Sequence, residues 1–145
     1  INSKRKNISK EDAFLIAKFS GGSLGTAMSM EPELLEGIIG RFNTILKGKN
    51  SSDIIETAEE WSHNKANESK LVLDVIAMLY RDALKILVSQ DFVNLVHPKS
   101  RDIAEKITIH KAEKSIEELT STRHFLDTSV NKQLMFENLL FTLTG

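Results

Sequence analysis

The chain contains no cysteine, few prolines and few glycines. Without cysteine it can form no disulfide and perform no thiolate chemistry, which fits a cytoplasmic protein. Two prolines and seven glycines among 145 residues are too few for the many turns of a multi-strand sandwich. No apolar run approaches the roughly 20 residues of a membrane span. The basic start at residues 4–6 is followed by polar residues, unlike a signal peptide. We therefore expect no membrane partner.

Hydrophobic residues make up 41% of the chain and charged residues 27%, which is enough for a real core beneath a polar surface. The net charge is only −1, but its distribution is uneven. Residues 1–30 contain five Lys/Arg and two Asp/Glu, whereas residues 31–145 contain fourteen Lys/Arg and eighteen Asp/Glu. We interpret the basic end as a solvated linker in preference to a nucleic-acid contact. Because the chain starts at Ile1, we expect it to be a processed product or an excised piece of a larger protein.

Helical signals run through the whole sequence. Ser9 with Asp12 resembles a capping box that opens a helix, Gly21 supplies its C-cap, and Ser23 caps a short helix to Met30. A domain boundary is predicted near residues 31–32. Apolar residues then recur at three-, four- and seven-residue spacings, which predicts six further helices. These run from Pro32 to Gly48, from Ser51 or Ser52 past Trp61, from Glu68 to Val88, from Pro98 past Ile107, from Thr108 to Thr128, and from an Asn131 cap onward.

The predicted helix over residues 68–88 is apolar around most of its circumference, so other helices must surround it. Its polar stripe is expected to comprise Asp74, Arg81, Asp82 and Lys85. No strand is convincingly signalled, and the sequence therefore predicts an all-α helical bundle. The predicted core includes Trp61, Leu73, Ile76 and Leu84.

Motifs for catalysis, metal binding or cofactor binding are weak. The four histidines are far apart, and Glu60-Trp-Ser-His63 has no second Glu-x-x-His pair with which to form a di-metal site. Exposed or capping histidines are the favoured interpretation. Free amides at Gly21–Ser23 could hold a phosphate, but no nucleotide-binding fingerprint accompanies them. We expect no catalytic residue, no metal and no cofactor.

Residues 17–27, Ala-Lys-Phe-Ser-Gly-Gly-Ser-Leu-Gly-Thr-Ala, resemble the sensor-2 region of bacterial DNA polymerase III clamp-loader subunits. The ATP-binding gamma/tau members of that family carry an arginine there, which reaches a nucleotide phosphate. Gly25 stands at the arginine position, and glycine has no side chain to make this contact. The paired glycines at residues 21–22, together with Gly25, resemble the pattern that delta-prime subunits carry in this region.

Two downstream segments extend the resemblance along the chain. Residues 79–84, Leu-Tyr-Arg-Asp-Ala-Leu, resemble a collar element of the family, and residues 131–140 resemble a pattern near its C-terminus. The resemblance implies the last helices of an AAA+ lid domain at residues 1–30 and a helical collar, or oligomerisation, domain at residues 31–145. The family's nucleotide domain, zinc module and arginine-finger segment have no counterpart in this sequence.

The implied function is a non-catalytic assembly role in the clamp loader, which places the sliding clamp on primed DNA using ATP bound by other subunits. The implied partners are gamma/tau and delta subunits in a heteropentamer, with DNA met only indirectly. Leu126, Leu134 and Phe141 are the candidate interface residues. A gamma/tau or delta fragment remains an alternative within the family. A helical nucleic-acid-binding module is the alternative outside it, although the helix at residues 24–30 has no positive residue.

Overall fold

A computed structural model describes residues 32–89, 97–128 and 131–145, and most residues in these ranges are helical. The helices are α1 (Pro32–Gly48), α2 (Ser51–Ser62), α3 (Ala66–Ser89), α4 (Lys99–Lys106), α5 (Ile109–Phe125) and α6 (Lys132–Thr144). Within these ranges there is no strand, and the predicted all-α helical bundle is confirmed. The helices predicted within residues 9–30 lie outside the described residues.

Helix ends follow local capping chemistry. Asn131 caps α6 as predicted, because its side chain accepts the Leu134 N–H at 3.0 Å. Helix α2 begins at Ser51, one of the two predicted starts. Its cap is Asn50, whose side chain accepts the Ser52 N–H at 2.8 Å.

The end of α1 also uses an unexpected residue. The helix ends at Gly48 as predicted, but the following Lys49 takes the left-handed conformation, with φ of 50°. Its N–H donates to the Ile45 carbonyl at 2.9 Å, which satisfies one carbonyl of the last turn. Glycine usually occupies this position because it has no side chain to strain. Lys49 therefore carries a conformational cost that a glycine would avoid.

Helix α3 lies at the centre of the bundle and packs against α1, α4 and α5. This arrangement confirms the expectation that an all-round apolar helix must be surrounded. Leu84 is only partly buried, so its predicted place in the core was wrong. The buried apolar residues of α3 are Leu71, Val72, Leu73, Val75, Ile76, Ala77, Leu79, Tyr80, Ala83 and Ile86.

The second packing unit joins α2, α5 and α6. Trp61 of α2 meets Phe136 of α6 edge-on, with ring centroids 5.7 Å apart. Near the start of α5, Lys111 donates from Nζ to the carbonyl of Thr142, near the end of α6, at 2.7 Å. The two helices are joined by the short link over residues 126–131, so they run antiparallel. Together, α5 and α6 form a helical hairpin whose α5 side packs on the central helix.

Replacing Ile76 with alanine should strongly destabilise this bundle. Ile76 is fully buried at the centre of α3, and removing a buried aliphatic side chain leaves a cavity that costs about 2–5 kcal/mol. Urea unfolding followed by circular dichroism would measure the change in the free energy of unfolding.

Val88→Ala is the matched control, because Val88 lies on the same helix but is 65% exposed. Its effect should stay within about 0.5 kcal/mol. A loss below about 1 kcal/mol for Ile76→Ala would contradict the central position of α3.

Candidate functional site

The surface of the bundle exposes several large apolar side chains. Isolated exposed apolar residues are ordinary, but a shared face or end is typical of a surface that meets a partner. Four of the seven belong to the α5–α6 hairpin. The complete set among the described residues is Leu34, Ile55, Val88, Ile109, Phe125, Leu134 and Phe141.

Helix α6 divides its apolar residues between two faces. Phe136, Leu139, Leu140 and Leu143 are buried against the bundle. Leu134 and Phe141 are 52% and 41% exposed, and because they are seven residues apart they lie on one face about two turns from each other. These two candidate interface residues are therefore available for contact in the isolated chain.

The third candidate, Leu126, is not available. It is only 3% exposed and belongs to the hydrophobic core, so the expectation that it is an exposed apolar position was wrong. The physical reason is the end of α5 at Phe125. There the Leu126 N–H bonds to the carbonyls of Thr122 and Arg123, and the chain turns before α6. The sequence pattern instead extended the helix to Thr128.

Two ion pairs connect α3 with the end of α5. Asp74 accepts from Arg123 through both carboxylate oxygens, at 2.8 Å from Nε and 3.3 Å from Nη2. Lys70 lies 2.8 Å from the carboxylate of Asp127. The hydrogen bond from Lys70, followed by its charge, lowers the pKa of Asp127. Because the Asp127 side chain is largely exposed, this pair contributes little to the stability of the fold.

The expected polar stripe of the central helix is only partly solvent-exposed. Arg81 is exposed, whereas Asp82 is buried at 4% exposure, so the expectation that both lie on a polar stripe was wrong for Asp82. Arg81 lines a shallow 320 Å³ groove between α3 and α5, together with Arg123 and His124. Asp74 also lines this groove, so the groove holds charges of both signs.

The histidines of the described ranges do not converge. His97 bridges two elements: its Nε2 lies 3.1 Å from Glu36 of α1, and its Nδ1 accepts the Lys99 N–H at the start of α4. His63 follows the last turn of α2, where its backbone N–H bonds to helix carbonyls. Across the described ranges, no three His, Cys, Asp or Glu side chains are grouped closely enough to hold a metal ion.

A buried pair of hydroxyls lies between α3 and α5. Tyr80 is fully buried, and its ring meets Phe42 of α1 edge-on at 6.0 Å. Its hydroxyl lies beside that of Ser115, but neither has a hydrogen bond of good geometry. Burial raises the pKa of Tyr80 well above its ordinary value, and the Ser115 hydroxyl only partly opposes this shift.

A groove of about 400 Å³ opens between α1, the end of α2 and the start of α3. We call it the acidic groove. Its acidic lining residues are Glu33, Glu60 and Glu68, and its apolar lining residues are Leu34, Ile38, Trp61 and Val72; Gly37, Arg41 and Asn64 complete it. Arg41 spans α1 and α2, donating from Nε to Thr57 at 2.6 Å and lying 3.5 Å from Glu60.

The sensor-2-like segment with Gly25, and the turn at Gly21–Ser23, lie outside the described residues. Their assignment therefore still rests on the sequence. Within the described ranges, no helix is both long and apolar enough to cross a membrane.

A helical bundle whose α5–α6 hairpin exposes four large apolar side chains is compatible with an assembly domain. Comparison with protein families gives a specific result: the family described as DNA polymerase III, delta subunit, C terminal matches residues 40–145. The chain belongs to this family, and the matched region is the C-terminal, non-catalytic assembly region of a DNA polymerase III clamp-loader subunit. Searches of the curated proteins and of the solved structures gave no significant match.

Burial of Tyr80 should be visible in an alkaline titration. It is the only tyrosine in the chain, so the ultraviolet absorbance of its phenolate reports this group alone. Below pH ~10 the phenol is neutral in both the folded and unfolded states. Above that pH only the unfolded state ionises, so the free energy of unfolding should fall as pH rises.

Tyr80→Phe should flatten this alkaline loss of stability, measured by urea unfolding at a series of pH values. The remaining slope would belong to lysines and other groups that titrate in the same range. Phenolate absorbance that rises at the ordinary pKa, while circular dichroism remains native, would show that the hydroxyl is accessible.

Proposed function

We propose that this chain is the collar region of a clamp-loader subunit of the delta-prime type, preceded by the last helices of its AAA+ lid domain. Residues 1–30 would be the lid part and residues 31–145 the collar. Its role would be structural: it would help to hold five subunits in a ring while AAA+ modules, using ATP bound elsewhere, open the sliding clamp and place it on primed DNA.

The family match over residues 40–145 carries this proposal. The geometry supports it through the α6 face that exposes Leu134 and Phe141 on an otherwise well-packed bundle. Permanent complexes bury surfaces that resemble a cut hydrophobic core, and exposed leucine and phenylalanine suit such a surface. The implied partners are gamma/tau and delta subunits, and DNA would be met only through the complete complex.

The choice of delta-prime rests on the sequence at the sensor-2-like segment. Gly25 at the arginine position argues against gamma/tau, and the paired Gly21–Gly22 argue against delta. Delta is nevertheless the second candidate, because the matching family is described by that subunit. The proposal also implies a cytoplasmic location. The parent complex would be the polymerase III holoenzyme, which acts as a DNA-directed DNA polymerase and nucleotidyltransferase.

Reconstitution with purified clamp-loader subunits tests the proposal and distinguishes its two candidates. Native mass spectrometry would determine the composition of complexes formed from the chain, gamma/tau, and either delta or delta-prime. A delta-prime-type chain should compete with authentic delta-prime for its place and should assemble beside delta. Competition with delta instead would favour the second candidate, and failure to join any subunit would contradict both.

A charge placed on the exposed face of α6 should weaken assembly. Leu134→Glu and Phe141→Glu are the variants to test, with Leu134 taking the place of the buried Leu126. An unpaired charge buried at an interface costs several kcal/mol, which lowers affinity by orders of magnitude. Affinity for neighbouring collar domains would be measured by surface plasmon resonance.

Glu117→Lys is the control for these variants, because Glu117 is exposed on α5 and the substitution adds no apolar-to-charged change. Circular dichroism must show that every variant remains folded. Unchanged affinity of folded Leu134 and Phe141 variants would remove this face from the assembly surface.

The chain should neither bind nor hydrolyse ATP. The sequence has no P-loop, and Gly25 replaces the arginine that contacts phosphate in the gamma/tau members. Gly25→Arg should not create binding, because the other phosphate ligands of the family have no counterpart here. Isothermal titration calorimetry with ATP and Mg²⁺ would test both chains, and saturable micromolar binding by either would contradict the expectation.

A further inference from the structure

The acidic groove contains carboxylates that its own helices do not neutralise. Three of its described lining residues are acidic, and Arg41 alone is cationic. Arg41 is already engaged by Thr57 and Glu60. Glu33 and Glu68 have no ion-pair partner among the residues that the structure describes. The groove therefore keeps an excess of negative charge, and a ligand that binds there should bring positive charge.

The floor of the groove adds an apolar requirement. Leu34 lines it and is 47% exposed, whereas the other apolar lining residues, Ile38, Trp61 and Val72, are nearly buried. The volume of about 400 Å³ falls within the roughly 300–1,000 Å³ that is typical of ligand sites. A lysine or arginine side chain combines an apolar stem with a cationic head. Such a side chain can therefore lie along the floor while its head reaches the carboxylates.

We propose that the acidic groove is a docking site for another protein, which inserts a short basic segment with an arginine on each side of an apolar residue. The arginines would pair with Glu33 on α1 and Glu68 on α3, and the apolar side chain would cover Leu34. Arginine suits these carboxylates better than lysine, because its planar guanidinium can donate two parallel hydrogen bonds to one carboxylate.

The charge of the wider surface favours the same kind of partner. Residues 31–145 contain fourteen Lys/Arg and eighteen Asp/Glu, so this part of the chain attracts a basic segment at long range. A bound metal ion is a poorer occupant, because across the described ranges no three His, Cys, Asp or Glu side chains are grouped closely enough to hold one. The groove includes no residue of α5 or α6, so the docking site is independent of the proposed clamp-loader function.

The pentapeptide Gly-Arg-Leu-Arg-Gly, blocked at both ends, is the probe for this site. Isothermal titration calorimetry with the full chain should show saturable one-to-one binding in the sub-millimolar range. The affinity should fall at ~1 M salt, where the Debye length is about 3 Å. Trp61 is the single tryptophan and lines the groove, so its indole N–H signal should shift during an NMR titration with this peptide. The charge-reversed peptide Gly-Glu-Leu-Glu-Gly should produce neither effect.

Neutralising the two unpaired acids should weaken binding of the arginine peptide. Glu33→Gln with Glu68→Gln preserves side-chain size and should lower the affinity about tenfold, because two charge-assisted contacts are lost. The matched control is Glu56→Gln with Glu59→Gln, which removes the same charge from exposed positions of α2 outside the groove. The control should keep the affinity within about twofold, because salt screens its more distant charges.

Charge reversal gives a result that loss of folding cannot imitate. Glu33→Lys with Glu68→Lys should transfer binding from the arginine peptide to Gly-Glu-Leu-Glu-Gly. Leu34→Ser tests the apolar contact and should weaken binding of Gly-Arg-Leu-Arg-Gly without affecting Gly-Arg-Ser-Arg-Gly. Glu33 and Glu68 lie in first helical turns, where acidic residues also stabilise the helix, so circular dichroism must show native helicity for every variant.

Absence of saturable binding by the arginine peptide would overturn the proposal, as would equal binding by the wild type and the Glu33→Gln, Glu68→Gln variant. Binding that leaves the Trp61 signal unchanged would assign the peptide to another surface. Two results without peptide would assign the groove to a different occupant. A Trp61 signal that shifts on dilution would indicate a second copy, and one that shifts in a Lys4→Glu, Arg5→Glu variant would indicate the start of the same chain. No clamp-loader subunit is present, so none of these results bears on assembly.

Discussion

Burial of helix α3 on nearly all sides is the constraint on which the rest of the structure depends. A helix with an apolar stripe needs one neighbour, but α3 has apolar residues around most of its circumference and packs against α1, α4 and α5. Contact with α3 therefore largely determines where these three helices lie. The ion pairs between α3 and α5 lie on the exposed edge of that packing, where such pairs contribute little to stability. Apolar contact therefore positions the helices, and the ion pairs only adjust the end of α5 relative to α3.

Helix α6 has a different relation to the core, because it packs on α2 and α5 and has no extensive contact with α3. One face of α6 therefore packs against the bundle, while Leu134 and Phe141 on another face remain exposed to solvent. The Trp61–Phe136 contact holds this helix in place, so the exposed pair is carried on a rigid support. The assembly surface that we propose on α6 would benefit from this arrangement, since little conformational entropy would have to be lost when a partner binds.

Sequence patterns predicted helices well and burial less well. Proline at the first position of α1, the Asn131 cap and the all-round apolar pattern of α3 are local signals, and each predicted an element that the structure contains. The burial of Leu126 depends on the turn that follows Phe125. The spacing of apolar residues could not predict this turn, because an apolar residue can keep helical spacing even after the helix has ended. The acidic groove combines residues from three helices. No single stretch of sequence could have indicated it.

The exposed α6 pair is too small to act alone. A stable interface buries at least about 1,000 Å² in total, far more than two half-exposed side chains supply. Helix α5 offers the nearest additional apolar surface. Because the α5–α6 hairpin is antiparallel, Ile109 lies towards the Phe141 end, whereas Phe125 lies towards the Leu134 end. Each end of the hairpin thus has one exposed apolar side chain from each helix. We therefore propose that an assembly surface centred on α6 extends across both ends of the α5–α6 hairpin.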